Sequence, residues 1–231
     1  MDGVLFDSMP HHAQAWEEVM SRYGLRFTAR DCYLQEGRTG QSVIDECFLR
    51  ERGRHATEDE WTAIYAEKSA RFHELGGAAP VEGVQQLLSF LHQQGALIFI
   101  VTGSGQQTLF DTLQTHFPGI FTRERMVTAH DVTHGKPDPE PYLKAYERAK
   151  AMFLTGPVSQ AHSPQADMLT PEQCCVIENA PLGIKAGHDA GFDVFAVNTG
   201  PLDDADLWAQ HPTKVFRNMH ELLLFLKEIP V

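Results

Sequence analysis

The chain has 231 residues, 42% of them hydrophobic and 22% charged. That ordinary globular balance excludes a disordered or fibrous protein. Its length suits one large domain, or one domain with a smaller insert, and is enough to bury a sizeable core. Nineteen Lys and Arg against 31 Asp and Glu give a net charge of −12. The mean field of such a chain repels polyphosphate and anionic lipid, so neither nucleic acid nor membrane is an expected partner. An anionic substrate then needs a local positive cluster or a bound cation.

Ala96 to Val101 is the longest wholly apolar run, far short of a membrane span. Met1-Asp2-Gly3-Val4 does not read as the basic and apolar start of a signal peptide, so secretion is not expected. Cys32, Cys47, Cys174 and Cys175 form no C-x-x-C pair, which suits reduced thiols and a cytoplasmic location. The twelve His show no H-E-x-x-H motif, which argues against a zinc hydrolase.

In chain order, Val4 to Phe6 read as the tail of a strand, with Asp7 and Ser8 as its exit. From Pro10 to about Leu75 the pattern is helical. One helix covers His11 to Tyr23. Val43, Ile44, Cys47 and Phe48 stripe a second. Thr57 with Glu60 is a capping box opening a third, whose apolar face is Trp61, Ile64, Tyr65, Phe72 and the stem of Lys68. Gly76 and Gly77 end this run.

The pattern then alternates. Val84 to Leu91 is a helix closed by Gly95, and Ala96 to Val101 a buried strand. Helix 106–116, strand 126–129 and a helix from Pro139 to about Met152 follow, with Pro139 at its first turn. Residues 155–168 read as a loop insertion. Strand 174–177, helix 182–190, strand 193–197, strand 215–216 and helix 219–227 complete the chain. Strands alternating with helices predict an α/β fold, a doubly wound parallel sheet, with an inserted all-helical unit. The expected division is 1–8 and 80–231 for the core and 9–79 for the insert.

Open parallel sheets bind ligands at the carboxyl ends of their strands. Four polar clusters fall there: Asp2-Gly3, Thr102-Gly103-Ser104-Gly105-Gln106, Lys136-Pro137 and Glu178-Asn179. Singly, each is equally a turn, a solvated loop lysine or a strand-end acid. Together they share a logic. A hydroxyl with amides at a helix start binds phosphoryl oxygens, and a lysine neutralises them. Oxygen ligands hold Mg²⁺, and an Asp beside the metal serves as general acid and base.

The runs M-D-G-V-L-F-D-S, I-V-T-G-S, G-K-P-D-P-E-P-Y and V-I-E-N-A-P-L-G-I-K-A-G-H-D-A-G resemble the four motifs of the haloacid dehalogenase superfamily. The helical insert resembles the family's cap, and the chain is most similar to the β-phosphoglucomutase-like branch. The resemblance implies hydrolysis through an aspartyl-phosphate. It assigns acid/base catalysis to Asp2, phosphate binding to Thr102 with Gly103, Ser104, Gly105 and Gln106, and charge neutralisation to Lys136. Mg²⁺ falls to Asp2, Glu178 and Asn179.

Two departures stand out. The family's first motif reads D-x-D-G, and these residues begin at x. The nucleophilic Asp and its strand are therefore expected before Met1, from a start assigned at an internal Met or a gene fragment, rather than truly lost. Asn179 stands where the family usually has Asp, which removes a charge from the metal site. The cap loop, Leu34 to Gly40, is implied to face the site. Its Glu36 is implied to reach the metal and phosphate, Arg38 to bind a second anionic group, and His12 to sit at the cap hinge. E-G-R-T-G, S-M-P-H-H-A-Q-A-W and E-N-A-P-L-G resemble an inorganic-pyrophosphatase-like subgroup. The expectation is a monomeric Mg²⁺-dependent phosphohydrolase of a small phosphorylated metabolite or pyrophosphate. The alternatives are a hexose phosphomutase or sugar phosphatase, and an inactive binder of phosphorylated metabolites.

Overall fold

The computed structural model describes residues 1–105, 109–155 and 169–229. Gln106, the first residues of the 106–116 helix, and nearly all of the 155–168 insertion lie outside them.

Four helices come first: α1 (Met9–Arg22), α2 (Ala29–Leu34), α3 (Gly40–Arg52) and α4 (Glu58–Glu74). They close around a core of their own. Ala13, Trp16 and Met20 recur on one face of α1 and meet Ile44, Cys47 and Phe48 of α3 and Ile64 of α4. The Thr57 hydroxyl accepts from the Glu60 amide and the Glu60 carboxylate accepts from the Thr57 amide, so the expected capping box opens α4. Such a cap contributes about 1 kcal/mol. Gly53, at φ 67°, closes α3 in the left-handed region.

Alternation then begins with α5 (Val84–Gln93), β1 (Ile100–Val101), α6 (Leu109–His116) and β2 (Met126–Val127). It continues through α7 (Glu140–Thr155), β3 (Cys175–Glu178), α8 (Pro181–Asp189) and β4 (Asp193–Val197), and ends with α9 (Asp204–Trp208), β5 (Lys214–Phe216) and α10 (Met219–Glu228). All pairings between these strands are parallel. Ile100 faces Met126, Glu178 faces Ala196, and Val197 faces Phe216. The expected α/β architecture with a helical insertion stands. Short α2 and α9 were not anticipated, because neither is long enough to display a helical period.

Two local expectations are corrected. Val4 to Phe6 form a turn, not a strand: Gly3 takes φ 63°, and the Met1 carbonyl accepts from the amides of Val4, Leu5 and Phe6. Of the strand expected over 96–101, only Ile100 and Val101 join a ladder. The sheet itself is two ladders, β1–β2 and β3–β4–β5. Leu97, Ile98 and Phe99 lie on the side between them and stay half-buried. The ladders still belong to one layer: Val101 packs on the core of β3 and β4, and Ile177 on that of β1.

Candidate active site

Three segments converge: the turn at Asp2, the Thr102–Ser104 loop at the carboxyl end of β1, and Glu178-Asn179 at that of β3. The α2–α3 loop of the helical unit lies across them. Together they enclose a small cavity of about 110 Å³ lined by Asp2, Glu36, Arg38, Thr102, Lys136 and Glu178, among others. The approach is tight. A Cβ on Gly103 would stand 2.7 Å from the Gly37 carbonyl, so only glycine lets the two loops meet.

Asp2 is held by three side chains in a row. Its Oδ1 accepts from the Ser8 hydroxyl at 2.5 Å and lies 3.4 Å from His12 Nε2. His12 Nδ1 in turn meets Lys68 Nζ at 2.7 Å, and the imidazole stacks on Phe72 at 4.0 Å. Burial raises the Asp2 pKa. The bonds from His12 and Ser8, with the positive charge of the Met1 amino terminus, outweigh it and hold the carboxyl well below the usual range.

Lys68 corrects the expectation of a stem-only contact. It is 5% exposed, its Nζ lies between the rings of Trp16 and Phe72, and burial lowers its pKa to about 8. Ser8 and Lys68 were not singled out from sequence. The signal for Lys68 was there, since it is the one charged residue on the apolar face of α4.

Lys136 is equally buried, and its Nζ donates to Glu178 Oε1 at 2.5 Å and to the Val101 carbonyl at 3.2 Å. Tyr142, another residue the sequence did not flag, donates to the same Glu178 oxygen at 2.6 Å. Glu178 Oε2 accepts from the amides of Asn179 and Ala180 at the start of α8. Burial raises the Glu178 pKa, but Lys136, the Met1 amino terminus and these bonds bring it down to about 2. Gly183 supplies the room, because a Cβ there would strike the Glu178 carboxylate at 2.2 Å.

The Thr102 hydroxyl accepts from the Ser104 amide at 3.1 Å, which folds the loop into a tight turn. Gly105 diverges from the expected set: its carbonyl meets His130 Nε2 at 3.0 Å, and it lines a neighbouring cleft instead. Arg38 reaches Glu46 at 3.2 Å and Ser42 at 3.4 Å, while its Nε is buried without a partner.

Glu36 Oε2 accepts from Asn179 Nδ2 at 2.8 Å, so the helical unit and the core touch through these two side chains. Burial, then the negative charges of Glu178 and Asp2, raise the Glu36 pKa well above its usual value. Asn179 Oδ1 is buried with no partner. Among the described residues no three His, Cys, Asp or Glu side chains form a ready metal cage. The donor types are nonetheless those of a hard cation: Asp2, Glu36 and the orphaned Asn179 Oδ1 offer oxygen at this site.

A family profile described as "Haloacid dehalogenase-like hydrolase" matches residues 1–197. The chain belongs to this family. The structure called "Putative beta-phosphoglucomutase from Bacteroides vulgatus" is 40% identical with a TM-score of 0.87, over 98% of this chain and 85% of that one. Two curated relatives are named phosphatases. Validoxylamine A 7'-phosphate phosphatase of Streptomyces hygroscopicus subsp. limoneus is 27% identical over 91% of this chain and 87% of its own. Hexitol phosphatase A of Escherichia coli is 28% identical over 90% and 86%. The chain is thus a hydrolase of the haloacid dehalogenase-like family, in its β-phosphoglucomutase-like branch. No helix among the described residues is long and apolar enough to cross a membrane.

Proposed function

We propose that this hydrolase releases phosphate from a small phosphorylated substrate, with inorganic pyrophosphate as the leading candidate. The observation that carries the proposal is the Glu36–Asn179 bond, which brings a cap carboxylate to the metal-side amide of the core. The cavity beneath the cap, about 110 Å³, suits a compact substrate. We place the enzyme in a reducing, cytoplasmic setting as a monomer, in keeping with its four free thiols.

Each side chain has a part. Lys136 and Thr102, with the amides of Gly103 and Ser104, hold the transferring phosphoryl oxygens. Asp2, held as a carboxylate by Ser8 and His12, takes a proton from the attacking water. Tyr142 and the α8 amides fix Glu178, which in turn fixes Lys136. Asp2, Glu36 and Asn179 Oδ1 would hold Mg²⁺, with Glu178 adding charge while its own oxygens stay on protein donors. Bound there, Mg²⁺ supplies charge neutralisation at the phosphoryl group. The attacking carboxylate of the family stands at the position before Met1.

A second reading, a sugar or polyol phosphate, also has an observation behind it. Gln35 Oε1 and Arg38 Nε line the cap side of the same cavity, buried and without partners. A substrate hydroxyl could donate to the first and accept from the second. The two relatives named as phosphatases of organic phosphates agree with it. Phosphate release from pyrophosphate, hexitol phosphates and glucose 1-phosphate, by a chain with Asp before Met1 and with Mg²⁺ titrated, tests the choice. Pyrophosphate should give the highest kcat/KM, and a polyol phosphate in first place would install the second reading.

A further inference from the structure

Glu36 reaches the core from the loop that follows α2, so whatever seats α2 also seats Glu36. A second junction between the helical unit and the core lies outside the cavity, where α2 meets the segment that joins β4 to α9. Tyr33 packs both on the core of the helical unit and on the sheet cluster that contains Leu202 and Leu207, and Leu34 joins it on the latter. Gly200 makes the room, since a Cβ there would lie 3.1 Å from the Tyr33 ring. One turn before Tyr33, Arg30 donates to Asp206 Oδ2 at 2.8 Å.

α2 by itself gives no reason for that arginine. Arg30 is the second residue of a six-residue helix, in the first turn, where the helix dipole disfavours a cation. Its partner is Asp206 in the first turn of α9, 176 positions away. An exposed ion pair contributes little alone. Here it adds to the apolar contact that Tyr33 and Leu34 make beside it.

The receiving segment is itself braced. Asn198 Nδ2 donates to the Leu202 carbonyl at 2.9 Å and to Asp204 Oδ1 at 2.7 Å. The Thr199 hydroxyl donates to the Gly3 carbonyl at 2.5 Å. Residues 198–206 therefore touch both the turn that carries Asp2 and the helix that leads to Glu36.

We infer that residues 198–206 form a bracket that registers the helical unit on the core, and that Arg30, Tyr33 and Asp206 are positioning residues acting through Glu36. The inference rests on the role proposed for Glu36 in phosphate release. Only two residues separate Tyr33 from Glu36, so a shift of α2 passes to the Glu36 carboxylate with little slack. A misplacement of about 1 Å at a reacting site is enough to slow turnover severely.

The test is a charge-swap cycle: Arg30→Asp, Asp206→Arg, and the two together. Both side chains are partly exposed, 53% and 26%, so the fold tolerates the changes. In the 231-residue chain, amide exchange of residues 34–38 should speed at least about threefold in each single variant and return close to the parent in the double variant. In a chain with Asp before Met1, pyrophosphate kcat/KM should fall by a similar factor in each single variant and recover in the double, with melting temperatures unchanged. In a Glu36→Gln background, Arg30→Asp should have no further effect, because the group it acts through is gone. Exchange unmoved by the single variants, or a double variant no better than either, would overturn the bracket. A full Arg30→Asp effect in the Glu36→Gln background would overturn its action through Glu36. The exchange cycle needs no turnover, so it decides the bracket even if the extended chain hydrolyses no substrate, a result that would count against the proposed function instead.

Discussion

Glu36 and Asn179, 143 positions apart in sequence, meet through a 2.8 Å hydrogen bond from the Asn179 amide to the Glu36 carboxylate. One sits on the α2–α3 loop and the other at the end of β3. The bond leaves Asn179 Oδ1 buried and unpartnered beside an acid whose ionisation burial opposes. A cation or a substrate proton at that spot relieves both.

Glu36→Gln tests that reading. In a chain with Asp before Met1, pyrophosphate hydrolysis should fall about 10–100-fold, the value of one charged hydrogen bond, while sugar phosphate hydrolysis falls less. The Mg²⁺ requirement should rise. An unchanged Mg²⁺ dependence would remove Glu36 from the metal side of the site.

Asp2→Asn keeps the Ser8 contact and removes the proton carrier. Turnover should fall about 10²–10⁴-fold with little change in KM. His12→Ala should lower kcat less and shift the acid limb of the pH–rate profile upward, since His12 is one of the groups holding the Asp2 carboxyl low. An unmoved acid limb would mean that His12 does not act through Asp2.

Glu178 makes a stability prediction with a definite sign. Its pKa is held at about 2 in the fold, below the ordinary 4.5, so the unfolded chain binds protons first. Its contribution is therefore complete above about pH 4.5 and fades as pH falls towards 2. Urea unfolding of the native chain and Glu178→Gln should differ most at neutral pH and converge in acid. A gap that widens on acidification would contradict the pairing.

Gly103→Ala should hold the two loops apart, since its Cβ would lie 2.7 Å from the Gly37 carbonyl. KM is expected to rise several-fold with global stability nearly unchanged. Thermal melts and steady-state kinetics read the two separately.

Much of this was legible before the fold was known. The Thr57–Glu60 cap, the apolar faces of α1, α3 and α5 and the strand at 193–197 follow from local periodicity, which each segment carries by itself. The site clusters were legible because glycine, lysine and acid types recur at strand ends. What stayed hidden depends on long-range neighbours. Whether 97–99 joins a ladder rests on a partner strand, not on its own apolar run. Val4 to Phe6 turns because the Met1 carbonyl collects three amides. Tyr142 reads as a helix residue until Glu178, 36 positions on, is brought to its hydroxyl. Lys68 reads as a stem until His12 arrives from α1.

The central claim is that these clusters form one phosphoryl-transfer site needing a carboxylate immediately before Met1. The most direct measurement is Mg²⁺-dependent phosphate release by the 231-residue chain and by the same chain preceded by an apolar strand ending in Asp, each with and without Lys136→Ala. The account predicts turnover from the extended chain alone, abolished by Lys136→Ala and by chelation. Equal turnover from both chains, or turnover untouched by Lys136→Ala, would contradict it.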